Sequence, residues 1–463
     1  MTICTNDYYL LYYYTMKRNN YKLLICAVCM LMSVVLILGC SSRREDKPEI
    51  VFDYPSESSF GVNYPDMRFA VISDLHVYDH SLGTGGAAFH KALNSDRKLL
   101  LDSIDLLDYA IETISDSGVS FVIIPGDLTK DGELINHEIV AKKLQKLVNA
   151  GIPVYVVPGN HDVNNPDAVR YSEDTTIPVT NVSAEEFTRL HGEYGFNAAL
   201  FRDDDSLSYV VEPVDGLWLF GLDACRYREN VPGEHAITSG KISQRTADWI
   251  AAMLQTAMNH DKAVMAFMHH GVVEHWKGQR KLHPHYLIEG YEDFGKFLAS
   301  YNVRLVFTGH YHAQDITLGQ FDEKYIYDIE TGSLVTAPCP IRFVEINNNF
   351  LNVISHTIVD ELHPGTDFAD MAYATIIRVV TQEARNTLKK YKASNKDADY
   401  IANIIGDSFI AHYMGDENPA LRPQFDKSRL GLWGRVIYSQ FKYVLDGLWE
   451  DPVPEDNNAR FWL

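Results

Sequence analysis

Five short clusters along this chain are built from side chains that hold metal ions: Ser73-Asp74-Leu75-His76, Pro125-Gly126-Asp127-Leu128-Thr129, Pro158-Gly159-Asn160-His161-Asp162, Met268-His269-His270-Gly271 and Thr308-Gly309-His310-Tyr311-His312. Aspartate oxygen with histidine nitrogen, and no thiolate, suits Zn, Mn, Fe or Co rather than an iron–sulfur centre. In Asp-x-His and His-x-His, alternate extended residues point the same way, so both can face one ion. The glycines before Asp127, Asn160 and His310 let the backbone turn sharply and come close to bound ions. Two ions about 3.5–4 Å apart need a bridging group, usually a carboxylate, and such ions lower the pKa of bound water to about 7.

Each cluster ends a short apolar run. The runs are 69–73, 121–124, 154–157, 263–268 and 303–308. Between the first three, residues 95–117 and 133–149 carry apolar residues at helical spacing, among them Leu99, Ile104, Leu107, Ile111 and Ile114. Strand–helix–strand–helix–strand implies parallel pairing with right-handed crossovers. Fully apolar strands imply a sheet covered on both faces. Loops at the carboxyl ends of such strands converge on one crevice, so clusters distant in sequence can share a pocket. After about residue 205 the chain is richer in strands, at 207–211, 217–222, 316–318, 325–329, 342–346 and 351–356, with helices at 243–259 and 291–300 and a hairpin turn at Asn347-Asn348-Asn349. Beyond about 360 the pattern is helical, at 369–391, 397–412 and 430–449, with no obvious strand.

The chain has 463 residues and a formal net charge of −21, from 41 Lys and Arg against 62 Asp and Glu. That length fits one large domain with additions, or two to three domains. The acidic balance excludes broad electrostatic nucleic-acid binding, and a phosphate site would need its own local cations. Residues 23–38 are an apolar run of 16, preceded by Lys17, Arg18 and Lys22 and followed by Gly39-Cys40-Ser41-Ser42. This is nearer a signal segment than a spanning helix. Ile37-Leu38-Gly39-Cys40 resembles a bacterial lipoprotein box, in which the cysteine is lipidated; an uncleaved anchor is the alternative. The expected organisation is a signal peptide over 1–39, with Met16 as the true start, then lipid attachment and a tether over 40–65. A catalytic domain follows over 66–358 and a helical segment over 359–463. Either reading of the N-terminus leaves the rest of the chain outside the cytoplasm, and the lipoprotein reading anchors it in the cell envelope, at the periplasmic or surface face, through Cys40.

The five clusters, in this order, resemble the calcineurin-like metallophosphoesterase family, whose pattern is D-x-H, G-D, G-N-H-[D/E], H and G-H-x-H. The pattern is complete from Asp74 to His312, and the resemblance covers roughly 68–358. It implies a four-layer α-β-β-α sandwich of two mixed sheets flanked by helices, with the C-terminal helices added to it. It also implies two divalent ions, Mn, Zn, Fe or Co. Asp74, His76, Asp127 and His312 would hold one, and Asp127, Asn160, His269 and His310 the other. Asp127 would bridge, and a hydroxide between the ions would attack phosphorus. His161 would contact the phosphate and protonate the leaving oxygen, with Asp162 orienting its ring. The resemblance favours His269 over His270 as ligand, and strand alternation keeps both from facing one ion. The implied activity is phosphoester hydrolysis, with phosphodiesters the first expectation. Phosphomonoesters or phospholipid headgroups are alternatives, as is a non-catalytic, metal-stabilised surface protein.

Other residues read more plainly. His275, His283 and His285 read as solvated loop with a rim or lid over the pocket as the alternative, Tyr78 and Asp79 as turn residues, and His235 and His260 as surface histidines. His412 to Glu417 reads as a helix end with a turn. Cys225 and Cys339 can pair or stay free.

Overall fold

In the computed structural model, residues 50–55 and 63–463 are described. The lipoprotein-type segment, with Cys40, lies outside them, as does much of the expected tether. Fifteen strands follow in chain order: β1 (Met67–Val71), β2 (Phe121–Ile124), β3 (Val154–Val156), β4 (Val169–Ser172), β5 (Thr175–Pro178), β6 (Phe201–Arg202), β7 (Tyr209–Val214), β8 (Leu217–Leu222), β9 (Ala263–Met268), β10 (Leu305–Thr308), β11 (Asp315–Phe321), β12 (Lys324–Glu330), β13 (Pro340–Asn347), β14 (Phe350–Thr357) and β15 (Arg460–Trp462). One sheet runs β15-β14-β13-β1-β2-β3 and the other β11-β12-β10-β9-β8-β7-β6, while β4 and β5 pair alone. Strands β1, β2 and β3 are parallel, as are β8, β9, β10 and β12. The outer strands run antiparallel, so both sheets are mixed.

The sheets pack face to face through their apolar inner sides. Phe69 of β1 meets Phe307 of β10 edge-on at 5.3 Å, and the Tyr209 hydroxyl of β7 donates to the Val156 carbonyl of β3 at 2.8 Å. Every residue of β2, β8, β9 and β10 is buried, as their unbroken apolar runs require. Helices cover the outer faces. Leu134–Asn149 buries Val140, Leu144 and Leu147, one stripe at helical spacing, and Gln244–Asn259 starts where Ser243 caps the Thr246 N–H. The layered α-β-β-α arrangement is therefore the one expected. Asn348 and Asn349 form the tight turn between β13 and β14, with φ of 50° and 62° that asparagine tolerates well.

Three elements differ from the sequence reading. The expected helix over 95–117 starts only at Ser103, and another helix, Gly86–Ser95, precedes it. Residues between them leave helical geometry because Leu99 donates its N–H to Val335 and the adjoining side chains line a cleft. The C-terminal segment is helical over Phe368–Lys390, Asn395–Met414 and Leu432–Gly447, but it finishes in β15, which pairs with β14. That three-residue strand is too short to leave an alternating pattern. The segment belongs to the same compact unit, Phe52–Leu463, as the sheets. Among the described residues, no helix is long and apolar enough to cross a membrane.

His275 corrects the solvated-loop reading. It is 3 % exposed and lies among three carboxylates: Asp315 at 2.9 Å, Asp328 at 3.4 Å and Glu330 at 3.5 Å. Burial pulls its pKa down, but Asp328, Asp315 and Glu330 outweigh that and hold it well above the ordinary value. Asp328 also accepts from the Val272 and Val273 N–H groups, so the cluster ties the loop after β9 to β11 and β12. A raised histidine pKa contributes stability that is full below the unfolded value of about 6.5 and lost as pH rises through the folded value. His275→Gln should cost about 3–5 kcal/mol by leaving buried carboxylates unpaired. Thermal melts should show the gap from the native chain widest near pH 6 and narrowing in alkali; a pH-independent gap would contradict this.

Candidate metal centre and catalytic residues

The register of the two sheets determines where the clusters meet. In β1, β2 and β3, parallel neighbours, the first three clusters begin at the same end; β9 and β10 pair Phe267 with Phe307, which sets His269 and His310 at one level. The two sets of carboxyl-end loops then face each other across the sandwich. His310 N–H donates to the Asp74 carboxylate at 3.0 Å, joining the fifth loop to the first.

Two donor groups form there. Asp74, His76, Asp127 and His312 have ligand atoms all within 4.8 Å of one another, and so do Asp127, His269 and His310. Asp127 is common to both. Its Oδ2 lies 3.5 Å from His76 Nε2 and 3.3 Å from His269 Nε2. Asn160 Oδ1 lies 3.1 Å from His269 Nε2, which puts it with the second group. All seven expected ligands are therefore brought together, and all are buried.

The donor chemistry fits cations. His76 Nε2 and His312 Nε2 face each other at 3.3 Å, beside carboxylate oxygens. Burial pulls His76, His310 and His312 below the ordinary histidine pKa, which leaves them neutral with lone pairs to share. Asp127 is held well below the usual carboxylate range: burial opposes its ionisation, but His269, His161 and His76 outweigh burial. His269 Nδ1 reaches the Pro125 carbonyl at 2.9 Å, so the proton sits there and Nε2 faces the cluster. His270 turns away, with Nε2 at 2.9 Å from the Thr238 carbonyl. Of the pair, His269 faces the donor group and His270 does not.

Holding these side chains requires unusual backbone. Asp74, His76, Asp127, His310 and His312 all have positive φ, between 38° and 77°. Such conformations are costly outside glycine and concentrate at functional sites. Around them the chain is packed too tightly for side chains: a Cβ on Gly159 would lie 2.0 Å from Asp127 Oδ1, and one on Gly126 2.7 Å from the Gly159 nitrogen.

His161 stands beside the cluster but outside both donor groups. Its Nε2 is 4.0 Å from Asp127 Oδ2, and its ring meets His76 edge-on at 4.9 Å. The side chain is 27 % exposed, so a substrate can reach it. Burial lowers its pKa, but Asp127 and Asp131 more than offset that and raise it, favouring the protonated ring. The residue that orients it is not the expected Asp162. Asp131 Oδ1 lies 2.8 Å from His161 Nδ1, whereas the Asp162 carboxylate accepts from the N–H groups of Gly159, Leu128 and Thr129 and from the Thr129 hydroxyl. Asp162 thus fastens the second loop to the third. Asp131 is in turn held by Lys130 and kept down at about 2, since Lys130 and His161 overcome its burial.

Sequence reasoning also missed Arg97 and Lys98. Both line the cleft over the cluster with Asp127, Asn160, His161 and His312. They are the protein's own cations at this site in a strongly acidic chain. The signal was a basic pair, but it fell inside an apparent helix. Arg97 is fixed by the Tyr413 hydroxyl at 2.6 Å, so the C-terminal helices help hold the cleft. His283 is half-buried in the wall beside it, and His285 is exposed. Tyr78 is buried, not a surface turn. His412 is buried against Glu417 at 2.6 Å. Cys225 and Cys339 are both free.

Two mixed sheets thus place a paired set of metal-type donors at their joined carboxyl ends. A model of the calcineurin-like phosphoesterase family matches residues 67–314, more than half of the chain, and the chain belongs to that family. The buried Asp and His cluster suits that family. A curated relative, a probable glycerophosphodiester phosphodiesterase GpdQ of Arcobacter nitrofigilis, is 27 % identical over 198 residues, which cover 42 % of this chain and 58 % of the relative. The chain thus spans little more than half of that relative's length. Among solved structures, the chain is similar to a dimetal phosphatase from Danio rerio, at 17 % identity and TM-score 0.45, covering 64 % of this chain and 97 % of that one. It is also similar to the purple acid phosphatase PPD1 from yellow lupin seeds, at 12 % identity and TM-score 0.41, covering 66 % of this chain and 53 % of that one.

Asp131→Asn gives a first prediction. Loss of a carboxylate behind a functional histidine should lower kcat about 10–100-fold, by the measure of such supporting contacts. KM should change much less, because the ring stays in place. Steady-state kinetics would separate the two; an effect on KM alone would contradict this role.

Proposed function

We propose that the protein is a phosphodiesterase that uses two divalent ions and His161 as general acid. The carrying observation is the convergence of seven buried ligands on one shared carboxylate, Asp127, with His161 beside them. Asp74, His76, Asp127 and His312 would hold one ion, and Asp127, Asn160, His269 and His310 the other. The ions, when bound, supply positive charge for the phosphoryl oxygens and a water of lowered pKa as nucleophile. Arg97 and Lys98 add charge at the mouth and orient the phosphate. Protonated His161 carries its acidic proton on Nε2, because Nδ1–H is committed to Asp131. That proton passes to the departing ester oxygen, and Asp131 stabilises the charged ring before the transfer. Proton transfer of this kind contributes about 10²–10⁴-fold.

The diester preference rests on weaker support, the name of one 27 % identical relative. It is tested by comparing kcat/KM for bis(p-nitrophenyl) phosphate and p-nitrophenyl phosphate with the metal-loaded chain. Higher kcat/KM for the diester supports the proposal; a monoester preference makes the protein a phosphomonoesterase. The apolar run ending at Cys40 supports placing this activity in the cell envelope, on a lipid anchor outside the cytoplasm. Globomycin treatment of expressing bacteria should then accumulate the unprocessed form; unchanged processing would contradict lipidation.

A further inference from the structure

A second cavity adjoins the cleft. Helices Phe368–Lys390, Asn395–Met414 and Leu432–Gly447 enclose it together with the short turn Gln279–Leu282. Leu282, Val380, Ala384, Ile405 and Phe409 give it an apolar lining. Arg97 and Glu383 line both this cavity and the cleft over the metal ligands, so the two spaces share one wall. We propose that the cavity is the subsite for one compact, uncharged, ring-bearing arm of the phosphoester substrate. This rests on the phosphodiesterase reading and adds the substrate class.

Three observations carry the inference. The first is adjacency: Arg97 and Glu383 border both spaces, so a phosphate held at the metal ligands lies beside the cavity. The second is size. The cavity holds about 120 Å³, close to the ~150 Å³ of an apolar protein cavity that takes up benzene. One ring fits that volume. The third is the wall. His283 and Phe409 both line the cavity and meet edge-to-face at a centroid distance of 6.0 Å, an arrangement suited to a further ring. Apolar walls with few placed polar groups are typical of small-molecule sites.

The test keeps the leaving group constant and varies the other arm. Methyl p-nitrophenyl phosphate and phenyl p-nitrophenyl phosphate both release p-nitrophenolate. With the metal-loaded full chain, kcat/KM for the phenyl ester should exceed that for the methyl ester by about tenfold or more, the scale of discrimination apolar pockets give. Ala384→Phe fills the cavity from a helix surface and should bring the phenyl-to-methyl ratio down by most of that factor. Intrinsic differences between the esters cancel when the ratio is compared between the two chains. Competitive inhibition of the native chain provides a second reading: phenylphosphonate should bind about tenfold tighter than methylphosphonate. A ratio unmoved in folded, metal-loaded Ala384→Phe overturns the subsite, and so do equal inhibition constants. Neither result touches the phosphodiesterase reading. Failure of the metal-loaded native chain to turn over either ester rejects that reading, and the subsite with it.

Discussion

Asp127→Asn is expected to abolish most activity and to remove metal. The Asp127 carboxylate reaches towards both donor groups, so its amide replacement weakens both at once. An amide offers one neutral oxygen where an ionised carboxylate offers two charged ones. The loss of transition-state stabilisation should reach ~4 kcal/mol or more, about three orders of magnitude in kcat/KM. Elemental analysis should show fewer than two ions per chain in the variant. The fold should persist, because the sheets are held by apolar packing away from this end. Full metal content with near-native kcat/KM would remove Asp127 from the bridging position.

His161→Ala should show a different pattern. It lies outside both donor groups, so metal content should stay at the native level. kcat should fall about 10²–10⁴-fold, the span of general acid catalysis. The fall should depend on the leaving group. A p-nitrophenolate departs without a proton and should be affected least; an alkoxide cannot, and should be affected most. A variant that loses both esters equally would assign His161 to phosphate binding rather than proton transfer. One that loses metal would place it among the ligands.

Much of this site was legible because its chemistry is carried by side-chain type at the ends of apolar runs. Asp74 and His76, or His310 and His312, announce themselves by spacing, and strand order brings their loops together. The parts that were not legible depend on contacts between distant or oppositely turned residues. Asp162 follows His161 directly in sequence, but its carboxylate points to the turn at Leu128 and Thr129; Asp131, thirty residues earlier, takes the ring. Arg97 and Lys98 were absorbed into a helical pattern that the structure breaks at Leu99. His275 stands in a polar stretch with no sign of burial, because its partners lie on β11 and β12. Strand β15 forms only because β14 offers an edge. Helix periodicity over 369–449 was plain, whereas the cavity those helices enclose depends on how they pack.

Phosphoester hydrolysis here is proposed to run on two ions held by seven side chains. The most direct test is titration of the chelator-stripped full chain with Mn, Zn, Fe or Co, measuring bound metal and bis(p-nitrophenyl) phosphate turnover together. No turnover is expected without metal, and a rise that saturates at two ions per chain is expected on titration. Turnover that survives complete metal removal, or two tightly bound ions with no phosphoester turned over, would contradict it.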